Sequence, residues 1–384
     1  MTFDEQRIVA HTTVLSHASS PCGKYVVFGT NMQRLLVYYA ASFFQRHQFE
    51  CKPIKIVHLD ISKSWHSLCA SNQFLFCASH DLIWILRWCH EEQSILEKMH
   101  HIRLPSEGTG ICCSVITNLL YDSLLDRLIV TTGIGVVHIY ALGAQCSHVL
   151  RFIAHDSIIH GLCSAGENQF ATCSEEGSVR FWETRSLPGG VNAQAIISFH
   201  PHQVSCLERP HLGRWLTTVS CDTSDWNWFV TGGGPSLSLW NRRAGRYVTP
   251  LHPDVSSDAW YAQTSVFSFP DIEPRIVAGG NSGHLYRWDH GGSLVSSLSL
   301  TDPPDAQLAH VMVIKPISAA GLPSEEENLE INDGITLLEN HDNNTDLDSS
   351  PTRRPLGVLV VGGAGPAIRV ISCLGYPLGT LTLY

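Results

Sequence analysis

The chain has 384 residues, 44% of them hydrophobic and 16% charged, with a formal net charge of −10. Such a composition can bury a substantial core, and its acidic balance argues against a nucleic-acid-binding face, which needs clustered lysine and arginine to neutralise phosphates. The opening MTFDEQRIVA lacks the apolar stretch of a signal peptide, and the most hydrophobic region, 68–89, is broken by Asn72, His80, Asp81 and Arg87, so the expectation is a soluble chain.

In chain order, HTTVLSH at 11–17 alternates as an innermost strand of a sheet should. It leads into YVVFGTNMQRLLVYY at 25–39, an apolar run, a tight polar turn and a second run closing on aromatics. The same unit returns at 74–88, 127–140, 170–182, 228–240, 275–288 and 358–371. The closing aromatics Tyr38, Trp88, Tyr140, Trp182, Trp240 and Trp288 are 42 to 58 residues apart. A short apolar run precedes most hairpins (WHSLCAS, IIHGLCS, WLTTVSC, HVMVI), and an outer-strand candidate follows several (PIKIVHL, AIISF, SLVSSLSL). Four-stranded units recurring at this period predict an all-β fold, a seven-bladed WD-repeat β-propeller spanning 1–384 as one domain.

Within that frame GGGP at 232–235 hands one strand to the next. A phosphate-cradling loop would hand a strand to a helix, so the glycines are read as a hairpin turn. Trp226, Trp228 and Val230, two residues apart, are expected on one face. Thirteen cysteines with no CxxC pair, several inside apolar runs (Cys69, Cys77, Cys163, Cys173), predict free thiols and a reducing compartment. Cys89, His90, His100 and His101 lie close in sequence, yet their spacing matches no zinc finger or ribbon. With no GxSxG, HExxH or Walker motif either, the expectation is no catalytic residue, no cofactor and no metal.

One unit, AHDSIIHGLCSAGENQFATCSEEGSVRFW, places His155, Thr172, Glu176 and Trp182 where WD repeats carry a serial hydrogen-bond network of His, Ser/Thr, Asp and Trp. Glu for Asp lengthens one arm. As a buried polar chain its value depends on every member being satisfied, and this structural role is preferred to His155 as a general base.

Between 207 and 240 the chain runs through RPH, GRW, SDW, GGGP and LSLW. SPCGKYVVFG stands at 20–29, AHDSIIHGL and GSVRFWETR lie in the middle, and LGYPLGTLTLY falls at 374–384. On these residues the chain resembles the THO complex subunit 6 family, WD-repeat proteins of the assembly that couples transcription to nuclear mRNA export. The resemblance implies a nuclear, non-catalytic scaffold whose partners are other THO subunits, especially the helical subunits five and seven. RNA would be reached only through the assembly, with no membrane and no small-molecule substrate. Trp65, His160 and Trp260, placed near the rim where innermost strands begin, are candidate partner contacts. Arg185 is another: in FWETR it stands where WD-repeat substrate receptors of cullin-based ubiquitin ligases carry a gripping arginine, although Glu183 replaces the usual Asp. That receptor role is the alternative function.

A departure from the family is the segment 318–355, which holds nine acidic residues against Arg353 and Arg354, a charge of −7 that leaves −3 for the rest of the chain. Low hydrophobicity and dense like charge predict a disordered insertion inside the seventh blade. Deleting it through a short glycine linker is expected to leave the melting temperature nearly unchanged, because loop length costs only about 0.6 kcal/mol per doubling. A calorimetric drop of many degrees would show that the segment packs on the ring. The termini predict ring closure by blade-to-blade side-chain packing alone. On this reading 378–384 is the outer strand of the last blade, 11–17 the inner strand of the first, and 1–10 is left out of any clasp.

Overall fold

Strands that are apolar at nearly every position must be covered on both faces, and sheets stacked side by side around an axis achieve this. A computed structural model describes residues 11–45, 49–59, 64–89, 95–105, 115–143, 146–185, 193–254, 260–268, 275–300, 308–319 and 357–384. It is a seven-bladed propeller of antiparallel sheets whose strands follow one another outward from the axis. The blades run, innermost to outermost strand, from Val14–Ser19 to Lys55–His58, Ser67–Ala70 to Leu96–Arg103, Ile116–Asp122 to Ser147–Ile153, and Ile159–Ser164 to Ile197–Phe199. The remaining three run from Thr218–Cys221 to Arg246–Leu251, Ala262–Phe267 to Leu294–Ser299, and His310–Ser318 to Pro377–Thr382. Most of the 318–355 insertion and residues 1–10 lie outside the described residues. Ser318 itself pairs with Gly357, so a deletion should start beyond Ala319.

Seven apolar cores sit between successive blades rather than at one centre. The second strand of the first blade, Tyr25–Thr30, is buried at all six positions because alternate side chains enter two different cores. The strand ending at the triple glycine begins only at Trp228, and this corrects the expected face: Trp226 packs toward the fourth blade, whereas Trp228 and Val230 pack toward the sixth. Period-two alternation does not extend into the turn that precedes a strand.

Closure is also corrected. The terminal blades are each contiguous in their four main strands, as expected, but side-chain packing is not the only seal. Phe49–Cys51, from the connection between the third and fourth strands of the first blade, pairs in parallel with Pro377–Thr382 and makes the seventh blade five-stranded. The Tyr38 hydroxyl donates to the Thr382 carbonyl across the same seam, and the Thr382 hydroxyl donates to the Cys51 carbonyl at 3.3 Å.

A β-bulge near the start of each innermost strand shapes the axis. The register slips past Leu15, Thr117, His160, Gln263 and Met312. At His66 and Thr217 the backbone amide bonds the carbonyl of the residue that already pairs with its successor. Bulges re-aim side chains, and these seven residues are among those lining a central cavity of about 580 Å³.

Candidate interaction rim

In a meandering blade the start of the innermost strand and the turn between the second and third strands fall at the same end, here termed the entry rim. At this end of the fourth blade the Trp182 indole Nε1–H donates to Thr172 Oγ1 (2.9 Å), and Thr172 Oγ1 lies 2.7 Å from His155 Nε2. His155 Nδ1 lies 2.8 Å from Glu176 Oε1, whose partner oxygen accepts the Asp156 amide at 2.8 Å. Burial alone would raise the Glu176 pKa, but hydrogen bonds from His155, Ser178 and the Asp156 amide hold its carboxyl well below the usual carboxylate range. Burial lowers His155, against the pull of Glu176. An ionised Glu176 needs donors, so His155 carries its proton on Nδ1 and accepts the Thr172 O–H at Nε2. The hydroxyl of Ser178 also lies beside the ring, 3.2 Å from Nδ1, a neighbour that sequence reasoning missed. With His155, Thr172 and Ser178 at 0–1% exposure, no substrate reaches this group.

The segment joining the fourth blade to the fifth crosses the rim beside that network and gathers most of the distinctive motifs. Arg209 of RPH donates through Nη1 to the Gly234 carbonyl of GGGP and through Nη2 to the Trp215 carbonyl of GRW (2.6 Å), while its guanidinium lies 5.0 Å from the Trp215 ring centre. Trp215 is held by Nε1–H donation to the Leu212 carbonyl (2.7 Å) and meets Tyr261 of the sixth blade edge-on. The glycines are required by this crowding: a Cβ at Gly233 would stand 2.5 Å from Trp215 ring carbons, and Gly234, at φ +129, would meet the Tyr261 backbone at 2.6 Å. His202 lies 3.1 Å from the Gly177 carbonyl, tying the same segment to the fourth blade. The result is a half-buried Arg–Trp platform spanning three blades.

SDW belongs to the opposite rim. There Asp222, 1% exposed, accepts from the Ser224 amide (2.9 Å) and hydroxyl (2.8 Å), pairs with Arg275 of the sixth blade and lies 3.4 Å from His290. Ser224, Asp222 and His290 are the residue types of a hydrolytic triad in the wrong order. The serine bonds the carboxylate, and His290 Nε2 faces Arg275 Nη1 at 2.8 Å, so the imidazole is not placed to take the serine proton. The cluster clamps two blades.

Of the expected contact residues, His160 reaches the entry-side cavity as a bulge residue. Arg185 is exposed on the opposite rim, and in the amide orientation that satisfies both groups it donates to Asn168 Oδ1 from Nε (3.1 Å) and Nη2 (2.9 Å). Trp65 and Trp260 must be corrected. They are 0% and 3% exposed, each packed in an inter-blade core, because the innermost strand is preceded by a residue that plugs the gap between blades. Neither can touch a partner. His90 lies outside the described residues, and among the described residues no group of three His, Cys, Asp or Glu side chains could hold a metal ion.

No family model matches the chain. It is 24% identical over 296 residues to THO complex subunit 6 of Homo sapiens, covering 76% of this chain and 81% of that protein. The Mus musculus homolog is 26% identical over 299 residues, with 76% and 81% covered, and the Drosophila melanogaster protein 22% over 298, with 75% and 77% covered. The chain thus resembles THO complex subunit 6 of animals along three quarters of its length.

Proposed function

From that resemblance to THO complex subunit 6 as premise, we propose that the protein is a non-catalytic scaffold subunit of a THO-type complex, acting in the nucleus where transcription is coupled to mRNA export. The observation that carries the reading is the extent of the similarity. The convergence of RPH, GRW and GGGP on one rim supports it by supplying a docking platform. Rigid aromatic and arginine side chains at a rim are the residue types that dominate protein interfaces. On this reading the platform meets the helical subunits five and seven, and RNA is reached through the assembly.

Affinity purification of the tagged protein from nuclei tests the proposal, with THO subunits as the expected recovery. Recovery of a cullin and its linker subunit without them would replace this reading by the ubiquitin-ligase receptor. The platform itself is tested by Arg209→Ala and Trp215→Ala. Both groups are partly exposed, so each variant should melt within a few degrees of wild type yet lose roughly tenfold or more in affinity for the helical subunits. Undiminished recovery would place the interface elsewhere.

A further inference from the structure

Two thiols on neighbouring innermost strands stand close together. Cys163 lies on Ile159–Ser164 of the fourth blade, and Cys221 ends Thr218–Cys221 of the fifth. These strands run side by side, so that a Cβ at Gly161 would stand 3.0 Å from the Val219 amide nitrogen. Two residues further along each strand the side chains face the same way again, and there Cys163 Sγ donates to Cys221 Sγ at 3.7 Å. Among the described residues no other two sulfurs are joined by a hydrogen bond. A disulfide needs about 2.05 Å between its sulfurs, and small rotations about the two Cα–Cβ bonds can close the remaining gap of roughly 1.7 Å.

The two sulfurs differ in access. Cys163 is half-buried and lines the central cavity, so a small solute entering along the axis reaches it. Cys221 is 7% exposed and sits behind it in the core between the two blades. The hydrogen bond to Cys163 and burial both push the Cys221 thiol well up, while the Arg242 guanidinium adds positive charge beside the pair. Cys221 therefore keeps its proton and can donate it to a thiolate at Cys163, the arrangement of an attacking sulfur with a resolving one. Cys173, in the same core, is 0% exposed, and its Sγ donates instead to the Leu216 carbonyl at 3.9 Å.

We propose that Cys163 and Cys221 form a reversible disulfide that locks the fourth blade to the fifth, with hydrogen peroxide reaching Cys163 through the central cavity as the oxidant. The Cys163 thiolate attacks one peroxide oxygen, the O–O bond breaks, and the departing hydroxide takes up the proton that Cys163 released and leaves as water. Cys163 then carries a sulfenic acid. The Cys221 sulfur attacks the sulfenic sulfur, the S–O bond breaks, and the hydroxide leaves with the Cys221 proton as a second water. The two sulfurs lose two electrons in all, and the peroxide gains them. A dithiol reverses the link by exchange. This modification is independent of the rim platform and of the scaffold role.

The reduced full-length protein is exposed to a small molar excess of hydrogen peroxide, alkylated, and digested without reductant for peptide mass spectrometry. A linked Cys163–Cys221 peptide is expected as the main disulfide product, and dithiothreitol should abolish it. The melting temperature should rise by a few degrees on oxidation and return on reduction, because a cross-link between positions distant in sequence restrains the unfolded chain. Cys221→Ser should stop at the Cys163 sulfenic acid, trapped by dimedone at several times the wild-type yield, whereas Cys163→Ser should leave Cys221 unlabelled. Absence of the linked peptide at a dose that oxidises the exposed Cys22 and Cys206 overturns the proposal. So does Cys163 joined mainly to a different cysteine, or a linked protein that melts no higher than the reduced one. The wild-type peptide map decides by itself if either variant fails to fold.

Discussion

Removal of residues 378–384 should open the ring and cost on the order of 5 kcal/mol, a large share of what holds a typical domain folded. Leu381 and Leu383 are buried in the core between the seventh and first blades, and each loses about 1.5–3 kcal/mol of apolar burial. The buried Tyr38 hydroxyl loses its acceptor on Thr382, a further penalty of about 1–3 kcal/mol. Phe49–Cys51 loses its paired strand, and Ala367–Ser372 becomes an open edge able to pair with other chains. Thermal unfolding with size-exclusion chromatography checks this. A monodisperse truncation melting with the wild type would show that the seam is held by something else. Glu50→Pro, in the middle of the short strand Phe49–Cys51, disfavours that strand and should lower the melting temperature by a smaller amount.

Thr172→Val keeps the side-chain shape and removes the hydroxyl that links Trp182 to His155. Two buried groups then lose their partners, the indole N–H an acceptor and the imidazole Nε2 a donor, at about 1–3 kcal/mol each. A loss of about 2–4 kcal/mol is expected in urea unfolding, and a loss below about 0.5 kcal/mol would contradict the chain of donors described above. The same network sets an acid limb. Glu176 has a depressed folded pKa, so its contribution is complete above the unfolded carboxylate value near 4.5 and is lost as pH falls through and below that value. His155 is also depressed, so the unfolded chain takes up that proton first and stability begins to fall below about 6.5. Stability should decline monotonically from pH 7 toward pH 3, with Glu176→Gln showing a shallower decline in the lower half.

The blades were legible because a propeller repeats its instructions. Each hairpin carries the same apolar run, turn and closing aromatic, and each innermost strand is announced by the run before it. The serial contacts of His155, Thr172, Glu176 and Trp182 were legible for a related reason: their spacing is set by strand register, not by tertiary accident. What escaped was anything decided by a neighbouring blade. Phe49–Cys51 is too short to show a period and acquires its pairing from residues more than 300 positions away. Trp65 and Trp260 look like surface aromatics ahead of a strand, yet the gap between two blades decides that they are plugs. Arg209 gave no signal beyond its place in RPH, because its partners are carbonyls, and backbone groups are invisible in a residue string. Nor could a pattern of side chains reveal the bulges that turn His160 and Gln263 toward the axis, since a bulge is a mismatch between two strands.

The parallel pairing of Phe49–Cys51 with Pro377–Thr382 carries a consequence for biosynthesis. A ribosome has made the first of these segments long before it makes the second, so throughout most of elongation the first blade presents an unfilled seat. Blades can stack one after another as they emerge, each neighbour covering the last, but the circle stays broken until the late strand arrives. A message cut short or a premature stop therefore yields a crescent with two raw flanks, which chaperones or proteases can recognise. Closure of the ring waits on the synthesis of Pro377–Thr382, however many blades have stacked before it.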